Sequence, residues 1–280
     1  SFIAKITKIP FPLNPEAEFV ISIASYPKRI HFIPAVMQAL TKETINPRYI
    51  YLVLSEEEWP EKNIPNYIEK LVKRGVKILW TKGNPYAVKK LLPVLDKHPD
   101  LGIITLDDDI IYGPQIVEKL IEKSKSKKYC IVGHAGKILY RKGNELSMMF
   151  RDNRPADIKT PSTQVYLLGG LGTLYLPGSI DLRATDLDAV RRIVPGRGSD
   201  IWFWAAAISA NSEQICLGTP TTKNFYIPIP QSIKTAPKDQ PGKEVMEMRF
   251  QMAIDYFEIR EKLLLDLPDK KEEPNLDSLK

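Results

Sequence analysis

Three consecutive aspartates, Asp107 to Asp109, are the residues of this sequence with the clearest capacity for chemistry. They directly follow the apolar run Gly102–Leu106 and precede a segment that begins at Pro114. Adjacent carboxylates repel one another unless a cation neutralises them. Hard divalent ions such as Mg²⁺ and Mn²⁺ take one or two carboxylates together with phosphate oxygens and water. The triplet therefore predicts a divalent-metal site that holds a nucleotide diphosphate; the alternative is a solvated acidic loop.

Five apolar runs predict the strands that must position this triplet. They are Phe19–Ala24, Tyr49–Leu54, Val76–Trp80, Gly102–Leu106 and Tyr129–Gly133. Helix-like segments lie between successive runs, at Ile30–Leu40, about Pro65–Arg74, Tyr86–Leu95 and Pro114–Lys123. This alternation predicts an α/β fold with a mostly parallel, Rossmann-like sheet and helices on both of its faces. Because ligands of such sheets bind at the carboxyl ends of the strands, we expect the site in the loops after the first, second, third and fourth runs.

The second half of the chain has a less regular pattern. We expect a polar, mobile loop at 151–163, a break between two β-like runs at Gly169–Gly172, a helix at Asp200–Ala210, an extended Pro-rich segment at Thr219–Pro241 and a long amphipathic helix at Glu244–Leu265. The apolar face predicted for the last helix consists of Val245, Met252, Ala253, Tyr256, Ile259 and Leu263. The charged tail from 266 to 280 is predicted to be disordered.

Composition narrows the class of protein. The chain has 280 residues, 43% of them hydrophobic, which excludes a mostly disordered or collagenous chain. The net charge of +6 is compatible with an anionic substrate or a membrane surface, and we expect no nucleic acid because no basic stripe is interleaved with aromatic residues. Cys130 and Cys216 stand apart from one another, so we expect neither a disulfide framework nor a zinc site, and a reducing, cytoplasmic compartment.

Six short motifs in a fixed order resemble a known family. They are SYPKRI at Ser25–Ile30, LSEEE at Leu54–Glu58, KLLP at Lys90–Pro93, LDDDIIY at Leu106–Tyr112, GGLGTLY at Gly169–Tyr175 and SDIWFW at Ser199–Trp204. Together they resemble a GT-A fold glycosyltransferase of the bacterial capsule and cell-surface polysaccharide type, over roughly residues 19 to 217. The leader before residue 19 and the segment after 217 are not explained by the resemblance. Because the sequence shows no internal repeat and no clear linker, we expect a single domain at 1–242, with a donor half at about 19–133 and an acceptor half at about 134–242. The C-terminal helix and tail, 243–280, lie outside it.

The resemblance implies roles for several residues toward a nucleotide-diphosphate sugar, with UDP as the expected nucleotide. Asp109 matches the last carboxylate of the DxD motif, which ligates Mn²⁺ or Mg²⁺ between the two phosphates. Asp107 matches the first carboxylate, which faces the donor ribose or a metal-bound water, and Asp108 lies between them. The loop Ala24–Arg29 matches the segment that packs against the nucleotide base. Lys90 matches a lysine near the diphosphate; the alternative is a solvated helix lysine.

The same loops supply the remaining donor-binding candidates, which are Ser25, Tyr26 and Arg29 after the first strand and Ser55 after the second. Many enzymes of GT-A fold use a late histidine as a further metal ligand, but this sequence has no histidine after His134. The metal would therefore depend on Asp109, the diphosphate and water, and we expect weak metal affinity without the donor.

Asp200 matches the carboxylate that acts as catalytic base in inverting members of the family. An inverting transfer needs such a group to take the proton of the acceptor hydroxyl. Ser199 and Asp200 are also good N-cap residues for the helix that follows, and the two roles are compatible. Gly169, Gly170, His134 and Trp202 are the acceptor-side candidates, and a structural role is the alternative for His134.

Trp202 and Trp204 lie two positions apart on the predicted helix, so at most one of them can line the site, and core packing is the default for the other. Arg151 and Arg154 would either bind an anionic acceptor or be solvated. The expected partners are the sugar donor and a glycan or lipid-linked acceptor, with peripheral membrane association left open together with the oligomeric state.

Three functions therefore remain to be compared. The first is a metal-dependent, inverting glycosyltransferase of surface polysaccharide or glycoconjugate synthesis. The second is a Mg²⁺-dependent phosphatase or nucleotidyltransferase, since these enzymes also place aspartates at strand ends. The third is a non-catalytic GT-A-like module that binds a glycan or a partner. Phosphatases of that kind carry their nucleophilic aspartate after the first strand, where this sequence has Ala24 and Ser25.

Overall fold

The structure is a computed structural model that describes residues 9–125, 130–152, 158–218, 226–229 and 241–270. Its strands are β1 (Phe19–Ala24), β2 (Ile50–Ser55), β3 (Val76–Thr81), β4 (Gly102–Leu106), β5 (Ile110–Tyr112), β6 (Cys130–Gly133), β7 (Gly136–Lys142), β8 (Glu145–Arg151), β9 (Ile158–Ser162), β10 (Val165–Leu167), β11 (Thr173–Tyr175), β12 (Glu213–Cys216) and β13 (Tyr226–Pro228). The five predicted strands are present as β1, β2, β3, β4 and β6.

The α-helices are α1 (Ile33–Leu40), α2 (Asn66–Val72), α3 (Leu92–Lys97), α4 (Ile116–Ser124), α5 (Leu187–Ile193), α6 (Ser199–Ser209), α7 (Lys243–Tyr256) and α8 (Arg260–Asp266). The predicted helix at Tyr86–Leu95 is instead a 3₁₀ turn, Tyr86–Lys90, followed by α3. Pro93 explains the division, because proline has no N–H to donate and is best tolerated in the first turn of a new helix.

One large sheet organises the fold. Its eight strands have the order β3-β2-β1-β4-β11-β6-β12-β9. Strands β3, β2, β1 and β4 run parallel, as do β6 and β12, whereas β11 is antiparallel to both β4 and β6. The predicted α/β fold with a mainly parallel central sheet is confirmed. The parallel strands β1, β2 and β4 all end at the same edge of the sheet, where the expected loops meet.

Alternate residues of the central strands enter two separate hydrophobic clusters, one on each face of the sheet. On β4, for example, Ile103 packs with α3, α5 and α6, while Ile104 packs on the opposite face with α1, α2 and α4. Both side chains are fully buried. This arrangement follows from the period of two in a strand, which sends successive side chains to opposite faces. It holds the carboxyl ends of the strands between two packed layers.

The C-terminal segment differs from its prediction. The single predicted helix at Glu244–Leu265 is two helices, α7 and α8, because Glu258 between them adopts a left-handed conformation with φ of +56°. The buried face is also different: it contains Phe250, Ala253, Ile254, Phe257, Ile259 and Leu263. Val245, which was expected on this face, is 37% exposed. Of the predicted face, Ala253, Ile259 and Leu263 are buried as expected. The break at Glu258 changes the helical phase, so a single period over the whole segment misses Phe250, Ile254 and Phe257.

Helix α7 packs on α6 through aromatic pairs. The rings of Trp204 and Phe250 stack with centroids 5.4 Å apart, and those of Trp202 and Phe257 lie 4.8 Å apart. Aromatic side chains bury large areas and dominate the energetics of such contacts. The C-terminal helices therefore brace the helix that begins at Ser199.

Several predictions for irregular segments need revision or lie outside the described residues. The end of the predicted 151–163 loop forms the edge strand β9, and 153–157, including Arg154, is outside the described residues. The Pro-rich segment contributes β13, which pairs with β5, and the rest of it from 219 to 240 is mostly outside. Residues 266 to 270 are ordered, since Arg141 Nη1 bonds Asp269 Oδ2 at 3.2 Å, whereas 271–280 are outside.

Two further sequence features can be placed. Cys130 and Cys216 are buried on adjacent strands and are not joined in a disulfide. No helix in the described part of the chain is both long enough and apolar enough to cross a membrane.

A buried carboxyl group lies under the start of α4. Glu43 is 8% exposed, and its Oε2 accepts a hydrogen bond of 3.3 Å from the Val117 backbone N–H. Burial raises the pKa of Glu43 to about 8, with Glu118 adding to the rise and the Val117 bond opposing it. The folded protein therefore holds Glu43 as a neutral acid at neutral pH.

We expect Glu43→Gln to remove a pH dependence of stability. Between pH 4.5 and about 8 the folded state keeps a proton on Glu43 that the unfolded state has lost. The free energy of unfolding therefore falls as pH rises through this window. The amide variant should lose this contribution and be more stable than the parent at about pH 8, as measured by urea unfolding across the window.

Glu122→Gln on the exposed side of α4 is the control, expected to change stability by less than about 0.5 kcal/mol. A Glu43→Gln variant that keeps the parental decline in stability would contradict the assignment of Glu43 as a neutral acid.

Candidate functional site

The candidate site lies at the sheet edge where β1, β2 and β4 end. Ser25 follows β1 directly, Ser55 closes β2, and Asp107 follows β4. In parallel strands these positions lie side by side, so the loops that carry them are brought together by the sheet itself. The acidic triplet is therefore where the sequence predicted it, at the carboxyl end of a buried strand.

The middle carboxylate of the triplet points into the protein. Asp108 is 5% exposed, and its Oδ2 accepts a hydrogen bond of 2.7 Å from the Ser25 hydroxyl. Its Oδ1 lies 3.2 Å from Nη1 of Arg29. Burial raises the pKa of Asp108 to about 6, although the Ser25 bond and Arg29 oppose the rise. Asp108 thus ties the loop after β4 to the loop after β1, which is a structural role.

The third carboxylate shares the same arginine. Arg29 Nη1 lies 2.9 Å from Asp109 Oδ2, and both side chains are partly exposed. The guanidinium also lies near the ring of Tyr26, 5.9 Å from its centroid. Arg29 therefore neutralises part of the charge of Asp108 and Asp109, and Asp109 remains partly exposed.

The first carboxylate points the other way, toward a buried lysine. Lys90 Nζ donates to Asp107 Oδ1 at 2.7 Å, and only 9% of the Lys90 side chain is exposed. Burial lowers the pKa of Lys90, but Asp107 and Asp200 outweigh it, so the net pKa is raised above its ordinary value. The ammonium group is therefore charged and held between two carboxylates.

Asp200 lies in the first turn of α6 and faces the glycine-rich turn before β11. Its Oδ1 accepts a hydrogen bond of 3.2 Å from the Gly169 backbone N–H. Burial raises the pKa of Asp200, and Asp107 adds to the rise, while Lys90 and the Gly169 bond oppose it. The expectation that Asp200 or Ser199 caps α6 is wrong: Gly198 is the N-cap, in a left-handed conformation with φ of +114°, and no side chain caps the helix.

The glycine-rich turn fits closely between these carboxylates. A Cβ atom on Gly169 would lie 3.2 Å from Asp200 Oδ1 and 3.6 Å from Lys90 Nζ. A Cβ atom on Gly170 would lie 2.8 Å from Asp107 Oδ2, closer than real Cβ contacts allow. Because Gly169 and Gly170 have no side chains, the turn can approach the charged groups this closely. The turn brings Asp107, Lys90 and Asp200 to one place.

Tyr112 is a site residue that the sequence reasoning did not single out. Its hydroxyl accepts a hydrogen bond of 2.7 Å from the Asp107 backbone N–H and donates one of 2.8 Å to the Gly170 carbonyl. The side chain is buried, so its hydroxyl links the acidic loop to the glycine-rich turn. Tyr112 is the last residue of the LDDDIIY motif, so the sequence does place it near the acidic triplet. Its position in the motif alone does not show which way its side chain points.

Three of the predicted site residues are turned into the protein. Ser55 is fully buried, and its hydroxyl donates to the Gly83 carbonyl at 2.8 Å, which fixes the loop after β3. His134 is 2% exposed, and its Nε2 lies 3.0 Å from the Ile116 carbonyl oxygen. Trp202 is fully buried, and its indole N–H donates to the Ala184 carbonyl at 3.0 Å. The polar atoms of all three side chains are therefore engaged by backbone carbonyls, which for His134 is the structural role given as the alternative.

The carboxylates do not form a cage for a metal ion. Within the described ranges, no group of three or more His, Cys, Asp or Glu residues converges on one point. The triplet diverges instead, with Asp107 toward Lys90 and Asp108 toward Ser25. The Asp107 side chain is the most exposed of the three at 32% but is bonded to Lys90, whereas the Asp109 side chain is 17% exposed. The donor set fits a cation held by one partly exposed carboxylate, Asp109, and completed by substrate oxygens and water, which is common for Mg²⁺.

Comparisons with known proteins find weak structural similarity only. No family model matches the sequence, and no curated protein matches it. Glucosyl-3-phosphoglycerate synthase from Mycobacterium tuberculosis, solved with Mn²⁺, UDP and glucosyl-3-phosphoglycerate, is 12% identical, with a TM-score of 0.46 over 91% of this chain and 82% of that chain. TarS 1–349 of S. aureus is 12% identical, with a TM-score of 0.45 over 88% of this chain and 74% of that chain.

A third solved structure, a CMP:2-keto-3-deoxy-manno-octonic acid synthetase with CTP, is 13% identical, with a TM-score of 0.46 over 78% of this chain and 96% of that chain. Similarities of this size do not identify the activity of the chain. The assignment of function therefore depends on the residues of the site.

We expect Lys90→Met to destabilise the protein by about 2 kcal/mol, because Asp107 and Asp200 would lose their shared counter-charge. Adding Asp107→Asn removes one of the uncompensated charges, so the double variant should recover part of the loss. Urea unfolding of the parent, both single variants and the double variant measures the coupling between the two residues.

The exposed neighbour Lys82 provides the control, since Lys82→Met should change stability by less than about 0.5 kcal/mol. Strictly additive effects of Lys90→Met and Asp107→Asn would contradict the coupling.

Proposed function

We propose that the protein is a glycosyltransferase that moves a sugar from a nucleotide-diphosphate sugar to a hydroxyl group of an acceptor. The observation that carries the proposal is the convergence of Asp107, Lys90 and Asp200 around Gly169–Gly170. A charged ammonium group, which can bind the departing diphosphate, lies next to a carboxylate that can accept a proton. The ordered motifs that resemble the GT-A family support the same function.

Asp200 is the proposed general base of an inverting transfer. Its carboxylate would take the proton from the acceptor hydroxyl as that oxygen attacks the anomeric carbon. Burial raises the pKa of Asp200, which makes the carboxylate a stronger base, while Lys90 keeps it from rising further. The Gly169 N–H fixes one carboxylate oxygen and leaves the other oxygen to receive the proton.

Lys90 and Arg29 are the proposed cationic contacts of the donor phosphates. Lys90 is held in place by Asp107 and is oriented before the substrate arrives, so little conformational entropy is lost on binding. Tyr26, partly exposed beside Arg29, offers an aromatic face to the nucleotide base, consistent with the role inferred for the loop Ala24–Arg29.

A divalent ion, Mn²⁺ or Mg²⁺, is the proposed cofactor, with Asp109 as its ligand. Asp109 is partly exposed, and its Oδ2 already contacts a cationic group, Nη1 of Arg29, at 2.9 Å. When bound, the metal would neutralise charge on the diphosphate.

The expected donor is a UDP-sugar and the expected acceptor a glycan or lipid-linked hydroxyl of surface polysaccharide or glycoconjugate synthesis. A phosphatase is disfavoured because β1 is followed by Ser25, whose hydroxyl is occupied by Asp108. A purely binding module is disfavoured because burying Lys90 between two carboxylates carries a large desolvation cost, which a chemical role explains.

We expect Asp109→Ala to weaken Mn²⁺-dependent binding of UDP at least about tenfold, because the exposed carboxylate of the metal site is lost. Calorimetry with UDP, with and without Mn²⁺, measures the effect, and circular dichroism checks that the fold is kept. Asp100→Ala is the control for net charge, since Asp100 is exposed at the opposite end of β4 and should leave the affinity near the parental value.

If Asp109→Ala binds UDP as tightly as the parent in the presence of Mn²⁺, Asp109 is not a ligand of the metal.

We expect Asp200→Asn to lower the transfer rate by at least about 100-fold while UDP affinity stays near the parental value. The amide oxygen can still accept the Gly169 N–H, but the group no longer accepts a proton. Release of UDP from a panel of UDP-sugars with Mn²⁺, in the presence of candidate acceptors, measures the rate. Transfer within a few-fold of the parent would place the base elsewhere.

A further inference from the structure

A small cavity is lined in part by Asp200. Its volume is about 10 Å³, and it is lined by Ile131, Leu167, Tyr175, Asp200, Phe203, Trp204 and Gln214. A space of this size holds about one water molecule when polar groups line it. The cavity lies between α6 and β12, on the side of Asp200 that faces the protein interior.

Two hydrogen-bond donors of the cavity wall have no protein partner among the described residues. They are the indole Nε1 of Trp204 and the side-chain Nε2 of Gln214, and both atoms are buried. Trp204 lies four residues after Asp200 on α6, so the two side chains project from the same face of the helix. A buried donor without a partner is strongly unfavourable, and such groups in proteins generally bond to each other or to water.

We propose that this cavity binds one structural water, which accepts hydrogen bonds from Trp204 and Gln214 and donates one to the Asp200 carboxylate. A water molecule offers two acceptor and two donor positions, which matches two N–H groups and one carboxylate. Trp204 and Gln214 are then positioning residues that orient Asp200 through the water. They act in addition to the hydrogen bond from the Gly169 N–H and the charge of Lys90. The catalytic meaning of this network rests on the proposed function, but the water site itself does not.

The other ionisable groups near Asp200 are already accounted for. Lys90 and Asp107 act on Asp200 from the 3₁₀ turn and the acidic loop. Tyr166 on β10 and Tyr175 on β11 are buried and neutral, and burial raises the pKa of both well above the ordinary value. The water-mediated contacts would therefore be the route by which α6 and β12 stabilise the ionised carboxylate.

A crystal structure of the full chain at high resolution is the direct test. We expect a well-ordered water within about 3.2 Å of Trp204 Nε1, Gln214 Nε2 and an oxygen of Asp200. The Trp204→Phe variant removes one donor, and its structure should show that water displaced or weakened. Direct bonding of both donors to protein atoms, with no water in the cavity, would overturn the proposal.

A second test measures the ionisation of Asp200 by NMR, with ¹³C-labelled aspartate carboxyl groups assigned through the Asp200→Asn variant. In Trp204→Phe the ionised carboxylate loses a water-mediated bond, so the pKa of Asp200 should rise by about one unit. Gln214→Met should produce a rise in the same direction, and it serves as the second variant if Trp204→Phe does not fold.

Trp202→Phe is the matched control, because that indole lies on the same helix but donates to the Ala184 carbonyl, away from the cavity. It should shift the pKa of Asp200 by less than about 0.3 unit. An unchanged Asp200 pKa in both Trp204→Phe and Gln214→Met would overturn the positioning role. A failure of the proposed function would show separately, as parental transfer in Asp200→Asn.

Discussion

The ammonium group of Lys90 is the charge on which the arrangement of the site depends. A lysine buried to this extent would ordinarily lose its proton, and Lys90 stays charged because Asp107 and Asp200 compensate the lost hydration. Those partners come from the loop after β4 and from the first turn of α6, which are far apart in the sequence. The ion pair with Asp107 and the nearby charge of Asp200 therefore link the acidic loop and the start of α6, with the glycine-rich turn between them.

Uncharged side chains also hold the elements of the site in place. Tyr112 joins the backbone of the acidic loop to the Gly170 carbonyl, so the loop and the turn are held at a set distance. Helix α6 packs against α7 and the residue that follows it through aromatic rings. The carboxylate of Asp200 is thereby held on a buried helix, which suits the base role proposed for it, because small errors of position cost catalytic rate.

The sequence was most informative where local pattern decides the structure. Strand periodicity and the helices between the strands follow from apolar spacing, and the acidic triplet followed a strand end as expected. Spacing does not determine which buried partner a polar side chain chooses. Ser55, His134 and Trp202 were candidate contacts of a substrate, but all three are buried, and their polar atoms bond backbone carbonyls of distant segments. From the sequence, a structural role was the alternative only for His134 and for one of the two tryptophans. The break at Glu258 was equally hidden, since a single left-handed residue changes the phase of a helix without changing its composition.

Within the triplet, the three aspartates serve different purposes because each meets a different environment. Asp108 is buried and bonded to Ser25, so binding another ligand there would cost the hydrogen bond from the Ser25 hydroxyl and one of the two contacts that Arg29 makes with the triplet. Asp107 accepts a hydrogen bond from Lys90, and losing that bond would leave the buried ammonium group with Asp200 alone to compensate its charge. Asp109 is partly exposed and shares Arg29 with Asp108, so a cation can replace Arg29 there while the arginine keeps one carboxylate. Of these three carboxylates, Asp109 can therefore change its partner at the least cost, as a ligand for a substrate-borne metal must.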